Sequence, residues 1–114
     1  MSTRRTDDLR TAAQTLMDLA DIAQDDLDTD DFWKDYDKAT AWRDGFANGF
    51  GGVSSDLVAV FPPATAHALA GWLRDSAVLH LPDNECGFCA PQRNPLRLPC
   101  PALAVARQIN AAAA

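Results

Sequence analysis

Along the first thirty positions, apolar residues recur at alternating spacings of four and three: Leu9, Ala13, Leu16, Ala20, Ala23 and Leu27. That period falls on one face of an α-helix. Met17, Leu19 and Ile22 widen the stripe, and Asp18, Asp21 and Asp25 line the far side. Thr6 stands where an N-cap belongs, with Asp7 and Asp8 in the first turn, where carboxylates favour the helix dipole. Ala13, Ala20 and Ala23 let a neighbouring helix approach closely. The stripe lasts about three heptads and lacks basic flanking partners, so it reads as a core face rather than a coiled-coil seam.

Beyond an Asp-rich turn, Phe32 to about Ala47 reads as a second helix, and Gly45, Gly49, Gly51 and Gly52 then end regular structure. This glycine run lacks the Gly-Lys-Ser/Thr ending of a phosphate loop, so it reads as a reversal of chain direction. Ser55 to Phe61 fits either a short helix capped by Ser54 or Ser55, or a buried strand. Pro62-Pro63 stops that segment, and Pro63 suits the first position of a long helix reaching about Leu81. Ala66, Leu69, Ala70, Leu73, Ala77 and His80 share one face of it, which Trp72 and Leu79 extend. Only a narrow stripe around Arg74 and Asp75 is polar, which predicts the most buried helix of the chain. Pro82 ends it, and residues 82–101 hold five prolines and every cysteine. Pro101 opens a last helix, Ala102 to about Ala111, burying Leu103, Val105, Ala106 and Ile109. The pattern predicts an all-α protein. It would be a compact four-helix single domain over 1–114, with an irregular Pro/Cys-rich segment, 82–100, before the last helix.

Length and composition agree with a folded domain: 114 residues with 47% apolar content can bury a core unaided. Charge changes the picture more. The net charge is −6, and the excess of acid sits almost wholly in residues 1–60. An acidic half of this kind repels a nucleic-acid backbone and disfavours general DNA or RNA binding. No apolar run reaches membrane-spanning length. Arg4-Arg5 precedes Thr6, Asp7 and Asp8 rather than an apolar stretch, so no secretory signal is read and a reducing bacterial cytoplasm is expected.

The chemistry is concentrated in the cysteines. His80, Cys86, Cys89 and Cys100 form a His-x5-Cys-x2-Cys-x10-Cys array, the donor set of a closed tetrahedral zinc site. Gly87 eases the bend between Cys86 and Cys89, and Cys100 precedes a helix start whose positive end stabilises a thiolate. Asp83, Glu85 or water could replace His80 as fourth ligand. The alternatives are three unpartnered thiols, a redox pair, or an iron–sulfur cluster, which normally takes a fourth cysteine. A closed donor set points to a structural ion that tethers the irregular segment. Asp26, Asp28, Asp30 and Asp37 follow the spacing of a calcium loop between two helices. Asp31 stands where that loop needs glycine, which argues against calcium.

The stretch from Phe32 to Phe50 gathers six of the nine aromatics. Phe32, Trp33, Tyr36, Trp42 and Phe46 are the candidate partner-binding residues, since aromatics beyond the needs of a core anchor interfaces. No nucleophile–base pair or open metal site can be named, so a non-enzymatic role is expected.

A resemblance adds to this reading. The run Phe61-Pro62-Pro63-Ala64-Thr65-Ala66-His67-Ala68-Leu69-Ala70-Gly71-Trp72-Leu73-Arg74, the later cysteines, and Ala102-Leu103-Ala104-Val105-Ala106-Arg107-Gln108-Ile109-Asn110 resemble a group of small proteins from actinobacterial genomes and their phages. Those proteins share an Ala-Leu-Ala-x-Trp-Leu helix, a variable segment often bearing cysteines, and a closing Ala-Leu-Ala-Val-Ala-Arg helix. The likeness covers about residues 61–110. The Pro-Gly-Pro-Trp turn and small sheet of many relatives have no counterpart in Asp30 to Gly52. The resemblance implies a phage or mobile-element accessory protein with no established activity, which would bind a host or phage protein. Two alternatives stand beside it: a zinc-bearing nucleic-acid factor using Arg93, Arg97 and Arg107, and an acidic mimic of DNA.

Overall fold

The computed structural model describes residues 3–80, 86, 89, 96 and 100–114. Among these, regular structure is entirely helical, which makes the protein all-α, as its periodicity predicts. Five α-helices follow in order: α1 (Thr3–Thr29), α2 (Ala41–Gly49), α3 (Gly52–Ala59), α4 (Pro63–Leu79) and α5 (Pro101–Ala113). A 3-10 turn, Asp31–Trp33, lies between α1 and α2. The chain divides into two compact units, one of Met1–Leu16 with Leu69–Ala114 and one of Met17–Ala68.

The first unit is a small-residue helix cluster. Leu9, Ala12 and Ala13 of α1 meet Leu73 and Ala77 of α4 and Ala102, Leu103 and Ala106 of α5, all buried. Leu16, Leu69, Val105 and Ile109 close over this centre, together with Cys89 and Cys100. Alanine at so many contact positions lets the helix backbones lie close, so Leu9 and Leu73 are fully enclosed. At the surface, Arg107 donates to the Asp8 carboxylate at 3.2 Å, and the Asn110 amide donates to the Asp8 carbonyl at 3.0 Å. Both bonds tie α5 to α1.

The inward stripes of α1, α4 and α5 match the sequence pattern, but the residues that were to widen them do not. Leu19 and Ile22 of α1 are exposed, and so are Trp72 and Leu79 of α4. Small alanines on the buried faces narrow the contact, which leaves the flanking large side chains outside it. Thr6 also departs from expectation: α1 begins at Thr3, so Thr6 lies inside the helix and is not its N-cap.

The second unit differs more from the sequence reading. A helix from Phe32 to Ala47 does not form as one piece. Asp30 Oδ1 accepts the Phe32 N–H at 2.9 Å and caps the 3-10 turn, and Asp37 Oδ1 accepts the Ala39 N–H at 2.9 Å. Each bond offers the backbone a local alternative to helix, as Asp side chains commonly do. Helix α2 starts only at Ala41 and packs against α3. Gly51 and Gly52, at φ of +70° and +72°, make the reversal between them. In that left-handed region a side chain would be strained. The ambiguous segment after Ser54 is helical. Ser55 is buried in it, its hydroxyl placed between the carbonyls of Phe46 at 2.9 Å and Gly51 at 3.0 Å. The Trp42 indole N–H donates to the Val58 carbonyl at 2.9 Å, closing the free end of α3.

Candidate metal centre

The metal-site geometry begins at the end of α4. His80 follows the helix by one residue and is almost wholly buried, at 2% exposure. Its Nδ1 lies 2.7 Å from the Ser76 carbonyl oxygen, four residues back. A carbonyl only accepts, so Nδ1 carries the proton and Nε2 presents its lone pair. That lone pair faces the cysteines: Nε2 is 3.1 Å from Cys89 Sγ and 3.6 Å from Cys100 Sγ. The Thr6 hydroxyl, on α1, donates to the His80 carbonyl oxygen at 2.6 Å. The histidine is thus held from both sides, its ring by Ser76 and its backbone by Thr6.

Cys86 and Cys89 make the turn expected of a two-residue gap. The Cys89 N–H points at both the Cys86 carbonyl, 3.1 Å away, and the Cys86 sulfur, 3.3 Å away. Cys100 is the residue before α5, in an extended conformation, with Pro101 at the first helical position. Its sulfur is 3.7 Å from that of Cys86. None of the three cysteines is in a disulfide.

The four donor atoms of His80, Cys86, Cys89 and Cys100 all lie within 4.8 Å of one another. A tetrahedral zinc ion with bonds of about 2.3 Å to sulfur and 2.0–2.1 Å to nitrogen would set S···S edges near 3.8 Å and N···S edges near 3.5 Å. The 3.7 Å Cys86–Cys100 and 3.6 Å His80–Cys100 separations already match those edges. The shorter His80–Cys89 separation is a hydrogen-bond distance, an S–H donating to Nε2. The Cys89 thiol is pushed up to about 12, first by burial, then by its hydrogen bond with Cys86 and by charge on Cys100 and Cys86. A cation among the sulfurs would reverse that balance and stabilise the thiolates. The cluster therefore fits a metal ion. Asp83 and Glu85, the alternative fourth ligands, lie outside the described residues, as do Arg93 and Arg97.

The calcium layout does not form. Asp26 and Asp28 belong to α1, which continues to Thr29, and Asp30 and Asp37 cap the turns that follow.

The aromatic candidates gather within the second unit. Trp33 stacks on Trp42 with ring centres 5.9 Å apart and planes 8° from parallel. Phe46 closes on Trp42 at 4.8 Å, Phe32 meets Trp33 edge-on at 4.8 Å, and Tyr36 lies 5.9 Å from Phe32. Trp33, Tyr36, Trp42 and Phe46 are half-buried among themselves, and Phe32 is the exposed member. Gly45 admits this cluster: a Cβ there would run into the Trp33 indole, with Cη2 at 2.9 Å. Sequence reasoning missed Thr6 and Ser76 as supports of His80. The Ser76 contact has a signal, the spacing of four on one helix, whereas the Thr6 contact has none.

Comparison with protein-family models, curated proteins and solved structures finds no match. No helix among the described residues is long and apolar enough to cross a membrane.

Proposed function

We propose that this protein is a non-enzymatic accessory protein that acts by binding another protein, its first unit clasped by a structural zinc ion. Convergence of one imidazole and three sulfurs within 4.8 Å is the observation that carries the zinc reading. Three thiolates and a histidine complete a tetrahedron, so zinc held there has no open position for water or substrate. Its work is mechanical. It joins the end of α4, through His80, to the start of α5, through Cys100, with Cys86 and Cys89 between. Ligation through thiolates belongs to a reducing compartment, in keeping with a bacterial cytoplasm.

The sequence resemblance to actinobacterial and phage proteins supports a phage or mobile-element origin, and with it a host or phage protein as partner. The contact surface lies in the acidic and aromatic second unit. A nucleic-acid role has less support, because Arg107 is engaged with Asp8 at 3.2 Å. Mimicry of DNA has one observation in its favour: Asp18, Asp21, Asp25, Asp26 and Asp28 of α1 are all exposed. An acidic mimic would compete with DNA for a DNA-binding protein, and equal DNA binding with and without it removes that reading.

Two measurements test the main proposal. Cobalt(II) added to metal-free protein should give tetrahedral d–d bands and sulfur-to-cobalt charge transfer, both lost in Cys100→Ser and displaced by zinc. Absence of these bands removes the clasp. Tagged protein incubated with actinobacterial lysate should retain a specific protein that is lost when Phe32 and Tyr36 are changed to Ala. Retention of nothing specific removes the interaction role.

A further inference from the structure

We infer that the exposed face of α3 is a docking surface for a basic amphipathic helix of another protein. The inference rests on the protein-binding role proposed above and adds α3 to the contact surface that Phe32 and Tyr36 offer in the same unit. Val53 is 83% exposed, Leu57 71% and Val60 67%. Their spacing, i, i+4 and i+7, sets them in one ridge along the helix and its last turn. Phe50, 81% exposed, precedes α3, and Phe61, 42% exposed, follows it. Single exposed apolar residues need no explanation, but a contiguous run of them marks a contact surface.

Beside the ridge, a quarter-turn round α3, lies a cleft of about 320 Å³ lined by Phe46, Phe50, Ser54, Ser55 and Val58. Its walls are almost wholly apolar, and it has room for a large side chain. A partner helix laid along Val53, Leu57 and Val60 could seat an anchoring Leu or Phe there, the arrangement in which a few residues carry most of an interface. The backbone of α3 is tied down at both ends: Ser55 is bonded to the turn carbonyls, Trp42 to the end of α3, and Phe46 stacks with Phe50 at 6.1 Å. Binding therefore costs little ordering on this side.

Charge chooses the occupant. Between Met17 and Ala68 the chain carries eleven Asp against Lys34, Lys38 and Arg43, a net of −8. Arg43 is already paired with Asp44 at 3.2 Å. Asp56 is exposed on α3 and flanks the ridge on the side away from the cleft. A second copy of this chain would bring the same excess of negative charge to the contact. A helix with an apolar stripe bordered by Lys or Arg is attracted at a distance and matched on contact.

The probe is a fluorescent peptide of about four helical turns, Leu on one face and Lys on the other. It is tested against a scrambled peptide of equal composition and a Leu/Glu analogue. In anisotropy titrations with the full chain at low salt, the amphipathic basic peptide should bind at least tenfold tighter than the scrambled one, and the acidic analogue should not bind. Leu57→Asp and, independently, Val53→Asp should each weaken binding tenfold or more with unchanged circular dichroism. Leu19→Asp, at an exposed apolar site on α1 of the same unit, should leave it intact. Equal binding of the amphipathic and scrambled peptides overturns the inference, since charge alone then suffices. Self-association in sedimentation velocity that Leu57→Asp abolishes also overturns it, in favour of a second copy. A specific partner retained from lysate without peptide selectivity leaves the broader interaction role standing and removes this surface.

Discussion

The Thr6 hydroxyl donates to the His80 carbonyl oxygen at 2.6 Å, across 74 residues of chain and out of sight of solvent. It is a hydrogen bond by which α1 supports the candidate metal centre. A buried carbonyl deprived of its donor costs about 1–3 kcal/mol. Thr6→Val keeps the shape and removes the donor, so it should lower the stability of metal-free protein by that amount. Zinc affinity should fall about tenfold, as is usual when a support of a metal ligand is lost. Thr6→Ser should restore most of both. Thermal unfolding with and without zinc measures the two effects, and an unchanged zinc affinity in Thr6→Val would show that the contact is structural only.

Metal removal should act on one region. His80 and Cys100 connect the end of α4 to the start of α5, while the buried core of Leu9, Leu73 and Leu103 is built from helix side chains that are not metal donors. Chelation of zinc-loaded protein should therefore speed amide hydrogen exchange in α5 and around His80. Exchange in α2 and α3 should stay as it was, and most of the helical circular dichroism should persist. Uniform acceleration across all five helices would mean that zinc holds the whole chain together.

The core stripes were legible because a helix repeats its buried face every 3.6 residues, and Leu9, Ala13, Leu73, Ala77, Leu103 and Ala106 obey that rule. The cysteine cluster was legible for a similar reason: Cys86 and Cys89 are local, and His80, the residue after α4, continues the spacing of Leu73 and Ala77. What resisted reading was competition between local bonds. Phe32 to Thr40 has helical composition, yet the carboxylates of Asp30 and Asp37 capture backbone N–H groups and break it into turns. Thr6 misled in the opposite sense, since a hydroxyl suited to capping found a distant carbonyl instead. Contacts of that range leave no trace in spacing.

Gly45 gives a test confined to the second unit. Its missing side chain makes room for the Trp33 ring, which itself stacks on Trp42. Gly45→Ala must displace that ring or the α2 backbone, and overpacking of this kind costs about 1–3 kcal/mol. The near-ultraviolet circular dichroism of the tryptophans should weaken and the melting temperature should fall. Cobalt spectra at the Cys/His cluster should be unchanged, because all four donors belong to the other unit. A changed cobalt spectrum would reveal coupling between the two.

The cysteines predict two opposite responses to pH. In metal-free protein the Cys89 thiol is raised from 9.0 to about 12, chiefly by burial. A thiol raised on folding binds its proton more tightly in the folded chain, so its stabilising share is complete below about pH 9. It is lost as pH climbs from there towards 12. Metal-free protein should accordingly lose stability over that interval. Metal uptake runs the other way, because ligation needs thiolates and each bound sulfur gives up its proton. Zinc or cobalt affinity should rise steeply from pH 6 to pH 8 and release protons into weak buffer. Pairing a cobalt titration with a pH indicator measures both. Flat affinity over that range would mean that the sulfurs do not bind the metal.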